Sequence, residues 1–92
     1  MVLAGAAAAE ENPLREPARA VLERPCGKCH DAKSASAKLA ALAIYDLTQI
    51  DFAAKMTPAQ LQSAMRRLER SAPADDQAIF AQFVSLELAR RR

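Results

Sequence analysis

Hydrophobic positions along this chain recur at helical spacing, and no stretch alternates with a strand's period over a useful length. A first helix is predicted over about 17–24, where Ala18, Val21 and Leu22 share one face. Glu16 precedes Pro17, a residue suited to the first helical position, and Pro25 ends the segment. A second helix is predicted over about 35–46, capped by Ser34 or Ser36, with Leu39, Leu42, Ala43 and Leu47 as its apolar stripe. Residues 48–55 then form a connection in which Ile50 and Phe52 are expected to face inward. The third helix has the clearest start. Thr57-Pro58-Ala59-Gln60 combines a cap, a proline at the first helical position and a glutamine at the third, which is a capping box. Leu61, Met65 and Leu68 carry its stripe to about Arg70, and Ser71-Ala72-Pro73 breaks it. The last helix is predicted over about 74–91. Asp75 and Asp76 lie in its first turn and Arg90 to Arg92 at its end, charges that favour the helix dipole. Ile79, Phe80, Phe83, Val84 and Leu86 make its apolar face. The pattern is that of an all-α domain over 14–92, preceded by a tail over 1–13.

Composition narrows the class. Ninety-two residues bury a limited share of their surface and often need a staple. The chain is 51% hydrophobic but 4% aromatic, with no Trp. So light, Ala-rich a core suits wrapping a cofactor. A net charge of +2 is too balanced to imply nucleic acid. The run Val2-Leu3-Ala4-Gly5-Ala6-Ala7-Ala8-Ala9 turns abruptly polar at Glu10-Glu11-Asn12-Pro13. That is the pattern at the end of a secretory signal, cleavable after Ala9, and it is preferred to an Ala-rich disordered tail. It is too short to span a bilayer, so no transmembrane segment is expected and export to the periplasm or beyond is.

The candidate chemistry lies in Cys26-Gly27-Lys28-Cys29-His30. Two cysteines separated by two residues, with histidine directly after the second, form the attachment pattern for haem c. Each thiol makes a thioether with one vinyl group, and the neighbouring imidazole of His30 becomes the proximal iron ligand. Other readings are weaker. A redox dithiol wants a βαβ pattern, which is missing. A structural zinc site wants four ligands, and the sequence has only Cys26, Cys29 and His30. A disulfide across so short a loop would stabilise little.

At these residues the chain resembles the class I cytochrome c family: the pentapeptide after a short helix, a later Met in a loop, and a closing amphipathic helix. The resemblance covers about residues 14–91, and only the pentapeptide in it is specific. It implies a small fold of about four helices around one covalent haem. It also implies that the first and last helices pack together, Ala18, Val21 and Leu22 against Phe80, Phe83 and Val84.

His30 is the only histidine, so a second intrachain histidine ligand is excluded. Met56, directly before the capped helix, is the preferred distal ligand. Its competing role is a hydrophobic staple onto Leu61. Met65 lies mid-helix, where a thioether is ordinarily core filling. An open, water-bound or Lys-bound iron is the remaining possibility. A His/Met pair raises the reduction potential and suits electron transfer. The function expected is therefore a single-electron carrier, not an enzyme, passing electrons between a donor and an acceptor protein outside the cytoplasm. The alternative is a five-coordinate haem protein that binds a diatomic gas or turns over peroxide, for which Tyr45 or Asp51 would have to be recruited. Lys28, Lys33 and Lys55 are expected near the exposed edge, where they would steer an acidic redox partner. Arg66, Arg67 and Arg70 are expected on the solvent face of the third helix.

Overall fold

A computed structural model describes residues 12–91, in which four helices and no strand are found. They are α1 (Arg15–His30), α2 (Leu39–Ile44), α3 (Pro58–Ser71) and α4 (Ala74–Arg90). The proposed signal remnant at Val2–Ala9 lies outside the described residues. Asn12, placed above in the tail, is buried and belongs to the folded unit. Its amide donates to the Phe83 carbonyl at 2.9 Å and to the Glu87 carboxylate at 3.3 Å, while its own Oδ1 accepts from the Leu14 N–H at 3.0 Å.

α1 does not stop at Arg24. It runs through Pro25 and the whole pentapeptide to His30. Pro25 lacks the N–H that would reach back one turn, which ordinarily kinks or breaks a helix. Here the helical path continues past it, ending where Asp31 turns extended. Pro17 lies in the first turn, where its missing N–H would have had no intrahelical partner.

α2 is shorter than expected. Its six residues include no buried one, and Leu39 is 87% exposed, so the stripe through Leu39, Leu42 and Ala43 is not a core face. Only Leu47, beyond the helix, is buried. Local side-chain bonds explain the loss. The Lys33 N–H goes to Asp31 Oδ1 at 2.8 Å and the Ser36 N–H to Ser34 Oγ at 3.1 Å. Short polar side chains that engage the backbone this way compete with helix formation. Neither serine caps α2; the capping position is Lys38, with no side-chain bond. In the connection, Phe52 is buried as expected, whereas Ile50 is 78% exposed.

α3 carries the anticipated capping box. The Gln60 N–H donates to Thr57 Oγ1 at 3.1 Å, and the Thr57 N–H to Gln60 Oε1 at 3.0 Å. Leu61, Ala64 and Leu68 are buried along it. On α4 the buried positions are Phe80, Phe83, Val84 and Glu87; Leu86 turns outward. The buried stripe thus ends in Glu87 and not in Leu86.

α1 packs on α4, and α4 on α3. Ala18, Val21 and Leu22 share one core with Phe80, Phe83 and Val84, as the pairing of first and last helices requires. Rings line up through it. Tyr45 and Phe52 lie 6.3 Å apart, Phe52 and Phe83 5.6 Å, and Phe80 and Phe83 5.8 Å. These tilted and offset pairs add to burial. Among the described residues no helix is long and apolar enough to cross a membrane.

Candidate functional site

Because the pentapeptide is helical, Cys26, Cys29 and His30 fall at spacings of three and four and share one face of α1. That face lines a cleft of about 250 Å³, open to solvent. Both cysteines are half-buried free thiols. Met56 lines the same cleft and is 2% exposed. Met65 does not line it; it is half-buried against the core. Further parts of the wall come from Ile44 and Tyr45, and from Gln60, Ser63, Ala64 and Arg67 of α3.

The imidazole is held from two directions. His30 Nδ1 lies 3.1 Å from the Tyr45 carbonyl oxygen, and its ring stacks on the Tyr45 ring at 3.7 Å, within 3° of parallel. An Nδ1–H donated to that carbonyl selects the tautomer whose Nε2 lone pair is free for a metal. The backbone ties the same region together: the Leu47 N–H reaches the His30 carbonyl at 2.7 Å, and the Lys38 N–H the Cys29 carbonyl at 3.3 Å.

Burial pushes the Cys26 thiol above its ordinary pKa, outweighing the Tyr45 hydroxyl and the Arg67 charge, which pull it down. Burial likewise raises Tyr45, with Cys26 adding to the effect. Both groups are therefore neutral at neutral pH. A reactive dithiol lowers its nucleophilic cysteine instead, so the redox reading loses support on chemistry as well as on topology. Among the described residues no group of three or more His, Cys, Asp or Glu is placed to hold a metal ion by itself.

Two unpaired thiols and an oriented imidazole line one cleft with a thioether, and no carboxylate is among the lining residues.

Of the three lysines expected at a rim, Lys28 lines the cleft, while Lys33 and Lys55 are exposed and outside its lining. Arg67, read as a solvent-face residue, is exposed yet lines the cleft. Gln60, Ser63, Arg67 and Ser71 form a polar row at spacings of three, four and four, a helical signal present in the sequence but overshadowed by the apolar stripe. Tyr45 had no periodic signal to find it; it reaches the site because α2 ends one residue earlier.

No family model matches the chain, and no curated protein or solved structure matches it either.

Proposed function

We propose that this chain is a small c-type cytochrome that carries single electrons between redox partners outside the cytoplasm. Cys26 and Cys29 hold the haem through thioether bonds, His30 is the proximal ligand and Met56 the distal one. The observation that carries the reading is the shared cleft: both thiols, the oriented imidazole and a buried thioether line it, whereas Met65 does not. Bound haem supplies an iron that takes up and gives back one electron. The chain's own residues do the rest. Tyr45 fixes the tautomer and ring of His30, and Lys28, exposed on the cleft lining, puts positive charge there for an acidic partner.

A second reading, an open iron that binds a diatomic gas or turns over peroxide, is favoured by one observation. Gln60, Ser63 and Arg67 place hydrogen-bonding groups on the cleft wall. Spectra of the oxidised and reduced protein separate the two. The proposal predicts a Met–iron charge-transfer band that Met56→Ala abolishes, with a lower reduction potential, while Met65→Ala keeps the band and lowers stability. Loss of the band in Met65→Ala alone would transfer the ligand role. A parent without the band would promote the open-iron reading.

A further inference from the structure

Met56 lies near the end of a segment, residues 45–57, that has no helix or strand of its own, so only local turns satisfy its backbone from within and further partners come from other elements. Two arginines supply them. From α1, Arg19 donates to the carbonyls of Leu47 and Ile50, the latter at 2.8 Å, with its guanidinium 5.0 Å over the Phe52 ring. From the end of α4, Arg91 donates Nη1 to the Met56 carbonyl at 2.6 Å and Nη2 to the Ala53 carbonyl at 2.7 Å. The Ala53 carbonyl also accepts the Met56 N–H at 3.0 Å, so Arg91 closes over the turn that sets the Met56 backbone. Arg91 is in turn aimed by Glu87, 3.3 Å away and 1% exposed, which also takes Arg90 at 3.1 Å and Asn12 at 3.3 Å.

We propose that Arg91 is a positioning residue for Met56: its fork across the Ala53 and Met56 carbonyls latches the methionine segment to the end of α4 and keeps the thioether in the cleft. The inference rests on Met56 being the distal iron ligand. The physical basis is the shape of the donor. A planar guanidinium reaches the two carbonyls from two nitrogens held in a rigid fork, whereas an ammonium's donors radiate from a single nitrogen on a flexible stem, and hydrogen bonds from a charged donor are about twice as strong as neutral ones. Replacing Arg91 leaves Glu87 with Arg90 and Asn12, so the buried carboxylate keeps partners and the helix packing is retained. What is lost is the tie to the loop. Opening of that loop frees the distal position, and an added ligand that competes with the thioether then binds more tightly by the factor by which the open population rises.

The test uses the full chain with haem attached and imidazole as the competing probe. Arg91→Gln and Arg91→Lys, the second of which keeps an ion pair to Glu87, are compared with the parent, with Leu68→Ala and with Met56→Ala. Leu68 is a buried α3 residue outside the cleft lining, so its truncation lowers global stability without touching the latch. The latch predicts imidazole binding at least about tenfold tighter in both Arg91 variants, and a Met–iron band that fades at a temperature below global unfolding. It predicts parent-like imidazole affinity in Leu68→Ala. Parent-like affinity in both Arg91 variants, with the band present in the parent, overturns the latch alone, as does equal tightening in Leu68→Ala. A parent lacking the band, with a spectrum unchanged in Met56→Ala, overturns the ligand assignment and the latch with it.

Discussion

Glu87 sits where the apolar stripe of α4 would place a leucine, and it is tolerated there because every polar neighbour is a donor. Burial alone would raise its pKa. Hydrogen bonds from Arg90 and Asn12, with the charges of Arg90 and Arg91, outweigh that and hold it below the ordinary value of 4.5. A carboxyl depressed in the folded state stabilises the protein at neutral pH, and that contribution is lost as pH falls below about 4.5 and through the folded value. Glu87→Gln is therefore expected to cost about 1–3 kcal/mol at pH 7 and progressively less toward pH 3. Melting temperatures of both proteins across that range check it. A gap that stays constant with pH would contradict the assignment. The same cluster changes the meaning of the terminal arginines. Arg90 and Arg91 suit a helix C-terminus electrostatically, but they also reach Asp51 and the Met56 segment, at 3.2 Å for Arg90 to Asp51; Arg92 lies outside the described residues.

At the scale of elements, α3 and α4 were legible because their start and stop signals are local: the Thr57–Gln60 box, the paired aspartates, and Pro73 between them. Two other elements were misread for identifiable reasons. Pro25 was taken as a stop, yet a proline removes one bond and the flanking helix can continue. The consequence is functional, since only a continuous α1 puts both thiols and His30 on one face. In the second segment the helical spacing of Leu39, Leu42, Ala43 and Leu47 suggests a stripe, but the bonds made by Asp31 and Ser34 divert the chain, and Leu39 faces water. The packing of α1 against α4 rests on Phe83, which is 1% exposed and in ring contact with Phe52 and Phe80. Phe83→Ala is expected to cost about 3–5 kcal/mol through lost burial and the cavity left behind. Thermal unfolding followed by circular dichroism measures this, and a variant melting with the parent would contradict it.

Across the whole molecule, the hydrophobic core of α1, α3 and α4 lies beside the cleft, and the segment that carries Met56 is fastened to both terminal helices by arginine side chains. The cleft joins residues from positions 25 to 71. The spacing within the pentapeptide is local and stands out in the sequence, and Met56 was singled out by its place before the Thr57 cap, whereas Tyr45 and Arg67 meet the cysteines only through the tertiary fold. The central claim is that the cleft holds one haem bonded to Cys26 and Cys29. Its most direct test is the intact mass of the denatured protein after expression in a host that matures c-type cytochromes. The expected mass exceeds that of the polypeptide by one haem, and falls to the bare chain in Cys26→Ser, Cys29→Ser. A wild-type mass equal to the bare polypeptide would contradict it.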